Sequence, residues 1–427
     1  MDHRAAHALN RFGLGPRAGD AVPGDPVRWL LQQLGPSAAG APAGVTEGFA
    51  AIALDRTDRL PVGQPSRVRQ LFTTDMQSLV DQALTTANPF CERLVWFWAN
   101  HFTVSLRRGE VAPLAGPFLH DAIRPHVTGR FGDMLLAVMR HPAMLLYLDN
   151  AGSAGAASQA GQRQRRGLNE NLARECLELH TCSPAAGYTQ SDVTEFARLL
   201  TGWSVERTAE PVGFTFRPFA HDPGPKRVLG QTFPEGEAGG VAALAFLAAH
   251  PMTHRHLATK LVRHFVADAP PPGAVRIVEG VLRDTGGDLG AAAAALVRLP
   301  DAWQPLTKLR TPWEFVVAAL RAAGLAAENR PDVPGIVAGL GQPMFNAPFP
   351  IGWPDTAAEW AGPEAVMRRI DWAYGFSGRA HVPDASVLAE TALGPLAAPT
   401  TLAELARAGS RRDAITLLLA SPEFQRR

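Results

Sequence analysis

The chain has 427 residues, enough for one large core or two to three modest ones, and 46% of them are apolar, which fits a folded protein and excludes disorder. Its 41 lysines and arginines nearly cancel 40 aspartates and glutamates, so no global field draws it to nucleic acid or to an anionic membrane surface. Three cysteines, Cys91, Cys176 and Cys182, are too few and too badly spaced for a disulfide framework or a cysteine zinc site. Met1 to Arg17 lacks the apolar run of a secretory leader, and the longest apolar stretches, such as Gly290 to Val297, are too short to span a bilayer. The default expectation is a cytoplasmic protein with no integral membrane segment.

Alanine builds helices and glycine and proline punctuate them, and all three are abundant. The expected class is all-α: a single helical domain over 1–427, with sub-parts at 1–88, 89–325 and 326–427. Long irregular loops and one short hairpin-like insertion near 212–233 interrupt it. In chain order, a short helix is expected around Val27 to Leu34, then a Gly/Pro/Ala-rich stretch from Gly35 to Gly48. A long amphipathic helix runs from Ser66 to Thr86 and is stopped by Asn88-Pro89. The segment Cys91 to Phe102 is apolar on nearly every face and reads as a buried helix. Helices follow at 111–124 and 131–148, a flexible surface loop at 151–167, and a helix at about 168–181.

Thr189 and Asp192 make a capping pair for a helix that stops at Gly202. Two short strands are expected within 212–233, around the loop Ala220 to Lys226. Helices return at 241–249, 253–267, 274–284 and 289–299. Thr311-Pro312-Trp313-Glu314 combines a cap, a first-turn proline and a glutamate at the third helical position, which marks a helix start. Residues 331–362 read as an ordered loop packed by Phe345, Phe349 and Trp353. Two or three helices close the chain, one of them opened by Ser410 and Asp413.

Three segments carry polar groups that suggest chemistry. On a wheel of about 100° per residue, Asn171, Arg174, Glu175 and Glu178 share one arc, while His180 falls nearly opposite Glu178. Glu175 and Glu178 are spaced to meet at one divalent ion or to act as acid and base. The competing reading is a solvated face with an Arg174–Glu178 ion pair. Asn100 and His101 end the apolar run, where His101 is a metal ligand or general base, or else is satisfied by a backbone carbonyl beside an Asn100 helix cap. The turn His221-Asp222-Pro223-Gly224-Pro225-Lys226 presents an imidazole, a carboxylate and an amine together, or is a surface turn in which Asp222 bonds its own backbone.

Convergence of the three would make His101, Glu175, Glu178 and His221 a divalent-metal site, suited to iron, manganese or zinc. Asp222 or Asn100 would then support the ligands, and Arg174 and Lys226 would face an anionic substrate. The reaction would be hydrolytic or oxidative. The alternative is a non-catalytic helical scaffold or binding partner, in which these groups form a structural network. Other signals are slighter: Arg163, Arg165 and Arg166 in the loop, and His250, His254, His256 and His264 around one helix. His256 and His264 are eight apart and can share a face, although packing also accounts for them.

The stretches LNRFGLGP (9–16), ERLVWFWANHFTVS (92–105), NENLARECLELHT (169–181), GYTQSDVTEFARLLTGW (187–203), AHDPGPKRVLG (220–230), HPMTHRHLATKLVRHFVAD (250–268), KLRTPWEFV (308–316) and GWPDT (352–356) follow in order over nearly the whole chain. Together they resemble bacterial domain-of-unknown-function family 1800. The resemblance places weight on Asn100, His101, Asn171, Arg174, Glu175, Glu178, His221, Asp222 and Lys226. It implies a neighbouring sulfatase-like protein as a partner, and it leaves export open. The family often has Phe where this chain has His180, and Leu-Gly where it has Cys182-Ser183.

Overall fold

The computed structural model describes residues 1–35, 44–58, 63–164, 167–325, 329–379 and 381–427. Residues 36–43 of the Gly/Pro/Ala-rich stretch, and Arg165 and Arg166, lie outside the described residues. The protein is mainly helical, as expected. Among the described residues, no helix is long and apolar enough to cross a membrane.

Helix starts were the most legible feature. Ser66 accepts a bond from the Arg69 amide and opens Arg67–Thr85, and the next helix, Pro89–His101, starts on its own proline. Thr189 with Asp192 and Thr311 with Glu314 both form reciprocal capping boxes, heading Gln190–Leu199 and Pro312–Ala323. Ser410 heads Arg411–Ala420 in the expected way. The Pro312–Ala323 helix is buried on every face, so propensity and cap fix where it begins and packing holds its whole length.

Several expectations need correction. The 131–148 helix is two, Phe131–Arg140 and Pro142–Tyr147. Pro142 cannot continue a helix from His141, whose Nδ1 instead accepts from the Ala143 amide. The 111–124 segment is a chain of short tight and widened turns around Pro113 and Pro117 rather than one helix. A short helix, Gln159–Gln164, lies within the expected surface loop. The 331–362 region carries Val333–Gly339 and Ala357–Trp360, and among the described residues five α-helices rather than two or three follow, from Pro363–Ser377 to Pro422–Gln425.

The strands also pair differently. β1 (Trp203–Glu206) forms an antiparallel hairpin with β2 (Gly213–Phe216), and β3 (Lys226–Val228) forms a second one with β4 (Gln231–Phe233). The strand before the Ala220–Lys226 loop therefore turns back on Trp203, which the alternation after residue 212 could not reveal. Gly202 makes the entry possible: its φ is +82°, and a Cβ there would lie 2.7 Å from the Arg217 carbonyl.

The apolar interior forms two large clusters. One gathers Phe12, Phe90, Trp98, Phe102, Phe131, Trp203, Leu261 and Phe265. The other gathers Leu14, Val80, Phe315, Leu320, Leu388, Leu418 and Phe424. Trp96 and Met344 pack against both clusters and mark the seam between them.

Candidate functional site

The predicted centre does not assemble. Among the described residues, no three side chains of His, Cys, Asp and Glu are grouped so as to hold a metal ion. The first reason is backbone geometry. Asn171–Glu175 is α-helical, but Cys176–His180 is a widened turn of the i→i+5 kind, so a wheel drawn at one pitch fails after Glu175.

Glu175 and Glu178 remain neighbours: burial raises the Glu175 pKa, and the Glu178 charge raises it further. Arg174 does not pair with Glu178. Its guanidinium binds Glu170 at 2.7 Å and Gln190 at 3.1 Å.

The His-Asp turn is a closed structural knot. His221 Nδ1 donates to the Thr201 carbonyl at 2.8 Å, and its Nε2 accepts from the Gly236 amide at 2.8 Å, so both ring nitrogens are occupied. Asp222 is 2% exposed and takes both Nε and Nη2 of Arg198 at 3.1 and 2.8 Å, rather than bonding its own backbone. Lys226 is buried, and its ammonium is tied to the carbonyls of Asp222 and Gly224. These groups hold the turn against the Gln190–Leu199 helix.

Asn100 is a clamp. Its side-chain amide donates to the Trp353 carbonyl at 2.9 Å and its oxygen accepts from the Trp353 amide at 2.7 Å, as a paired strand would. This fixes the GWPDT segment across the end of the Pro89–His101 helix. His101 is 1% exposed, enclosed by Trp98, Phe102 and Phe131. Its Nε2 lies 3.1 Å from the His180 carbonyl, and His256 Nε2 lies 3.0 Å from the Leu179 carbonyl. A carbonyl can only accept, so both imidazoles donate there, and they cap the carbonyls left open where the widened turn ends. Burial first, and then the Lys260 charge, lower both pKa values, His256 to about 4, so both rings are neutral at pH 7.

These side chains surround a cavity of about 350 Å³ at the seam between the two apolar clusters. The end of the Pro89–His101 helix supplies Trp96, Phe97, Asn100 and His101. The start of Pro312–Ala323 supplies Trp313 and Glu314, and the 342–356 segment supplies Phe345, Trp353 and Asp355. Phe345 and Trp353 pack as expected, but Phe349 does not: it is 67% exposed, and Ile351 beside the cavity is 57% exposed.

The fourth wall is the Pro251–Phe265 helix. Its apolar stripe, Leu257, Ala258, Leu261, Val262 and Phe265, is buried in the core. The other side presents His256, Lys260, Arg263 and His264 to the cavity, at helical spacings of four, three and one. His264 Nδ1 lies 2.7 Å from an Asp355 carboxylate oxygen. A carboxylate only accepts, so Nδ1 carries the proton and the neutral ring leaves Nε2 as the basic atom. Nε2 has no hydrogen-bond partner among the described residues. Burial lowers the His264 pKa, only partly offset by Asp355, so the ring is neutral at pH 7. Burial pushes the Asp355 carboxyl up, but His264, Lys308 and Arg427 outweigh it and hold it below the ordinary value.

Lys260 is half-buried and makes no hydrogen bond or ion pair among the described residues. Burial lowers its pKa to about 8; Asp355 opposes that shift and Arg263 reinforces it. The remaining groups coupled to it, His101, His180 and His256, are imidazoles kept neutral by burial. Arg263 likewise has no partner among the described residues. By contrast, Arg93, which also lines the cavity, and Arg427 behind it are both buried and share Glu314.

Two signals in the sequence could have led to this site. The chain has only three lysines, Lys226, Lys260 and Lys308, and arginine supplies every other basic side chain. Lys226 and Lys308 are buried and fully engaged, which leaves Lys260 as the amine without a partner among the described residues. The second signal is the HRHLATKLVRHF stripe (254–265), in which the two histidines noted for sharing a face flank that lysine.

Over residues 7–426 the chain matches the family described as "Protein of unknown function (DUF1800)". No curated protein and no solved structure matches it.

Proposed function

The chain belongs to that family, whose description assigns no activity, and from the cavity we propose that it is an enzyme acting on a small, largely apolar organic acid. One observation carries this reading: an Asp355–His264 pair, with Lys260 and Arg263 unpaired among the described residues, lies on the walls of one aromatic cavity. The aromatic walls favour a flat apolar body. The two cations favour an anionic head, because charge in an apolar recess is screened less than at the surface. His264 is the proton acceptor, held in one tautomer by Asp355 as a general base requires. Its role would be to draw a proton from the bound acid or from a water beside it.

Phenylacetate is the simplest probe of this shape and charge. We expect saturable binding at pH 7, read from tryptophan fluorescence, since Trp96, Trp313 and Trp353 line the cavity. Lys260 is the charged form below its pKa of about 8, so affinity should hold below that pH and fall as pH rises through it. Lys260→Met should weaken binding at pH 7 by about tenfold, the scale of one charge-assisted contact, and abolish the pH dependence. Binding unchanged in Lys260→Met would overturn the reading. The helical scaffold that serves a sulfatase-like neighbour would then take its place.

A further inference from the structure

We infer that Lys260 is a covalent amine, and that the substrate class of the cavity is the 2-oxo acids, which condense with it as an imine. This rests on the reading of the cavity as an active site and adds the reacting group.

Three features of the geometry point there. First, the amine is uncommitted: no carboxylate or carbonyl holds it among the described residues, whereas Lys226 and Lys308 are each bound by such groups. Arginine supplies almost every other basic side chain of this chain, and a guanidinium stays charged where a buried amine can lose its proton. An amine that must lose its proton to react therefore has no arginine substitute. Second, Arg263 sits three residues on, on the same helical face, where side-chain roots are about 5–6 Å apart. A 2-oxo acid has its carboxylate and carbonyl on adjacent carbons, so a carboxylate on Arg263 brings the carbonyl to Lys260. Third, the environment is that of activated lysines: an apolar recess with a second cation alongside. With a pKa of about 8, about a tenth of the amine is unprotonated at pH 7.

The step balances without a redox partner. The Nζ lone pair forms a bond to the carbonyl carbon, and the C=O π pair moves to oxygen. One proton passes from nitrogen to that oxygen to give the carbinolamine. The nitrogen lone pair then expels the hydroxyl, which leaves as water with the second proton of the amine, and the C=N bond forms. His264, a neutral imidazole on the same cavity wall, is the base assigned to these proton transfers.

The experiment is reductive trapping of the intact protein with phenylpyruvate and cyanoborohydride, read by mass. The expected result is one reduced adduct per chain, mapped to Lys260 and absent in Lys260→Arg. Arg263→Gln should slow trapping of phenylpyruvate by about tenfold more than it slows trapping of phenylacetaldehyde, which lacks the carboxylate and loses only the activation that the Arg263 charge gives Lys260. An adduct that forms equally in Lys260→Arg, or no adduct in protein that binds phenylacetate, overturns the imine and leaves the active-site reading standing. Failure to bind phenylacetate as well overturns both.

Discussion

Replacing Glu314 by alanine is expected to lower the unfolding free energy by about 3–5 kcal/mol, the cost of leaving buried charges unpaired. Glu314 is 6% exposed. One of its oxygens is bound by Arg93 and, at 3.1 Å, by Arg427, and the other accepts from the Thr311 amide at 2.9 Å. Burial alone would raise its pKa, yet Arg427, Arg93 and His264 together hold it far below the ordinary carboxylate value. Its contribution is therefore present above the unfolded-state pKa of about 4.3 and is lost only as pH falls toward the depressed folded value. Urea unfolding at pH 7 measures the effect. A loss under about 1 kcal/mol would show that the two guanidinium groups find other partners. Arg93→Met together with Glu314→Met should recover only part of the loss, because it removes one guanidinium along with the carboxylate and still leaves Arg427 without its partner.

The second large effect is expected at Gly352. Its φ is +83°, and a Cβ there would lie 2.7 Å from Asn100 Oδ1 and 2.8 Å from Thr103 Oγ1. Gly352→Ala therefore adds a left-handed strain of about 1–3 kcal/mol and pushes against the helix end that clamps Trp353. The GWPDT segment should lift, carrying Asp355 away from His264. The expected outcome is a folded protein that binds phenylacetate at least tenfold more weakly, with little change in the core. Wild-type binding in this variant would show that the segment does not set the cavity wall.

The helices and their caps were legible because they depend on neighbours in sequence. A threonine three residues before an acid, or a proline at a first turn, acts locally, and Thr311 with Glu314 behaves as the pattern says. The site was less legible because tertiary partners decided it. His101 is buried and Asn100 half-buried, and both line the cavity, but as a cap and a clamp. His221, Asp222 and Lys226 looked like presented chemistry and instead bind one another and Arg198. The wheel through Glu175 and Glu178 assumed a constant pitch that the widened turn breaks. Asp355 stood in a motif noted only for resemblance, and nothing local said that its partner lay 91 residues upstream at His264.

The position of the cavity has a mechanical consequence. Phe97 belongs to one apolar cluster, Leu14 and Trp313 belong to the other, and Trp96 leans on both. Whatever fills that space touches both halves of the interior at once and acts as a keystone between them. Occupancy should therefore raise the melting temperature of the whole chain in a single step, by mass action on a state that exists only while the halves stay joined.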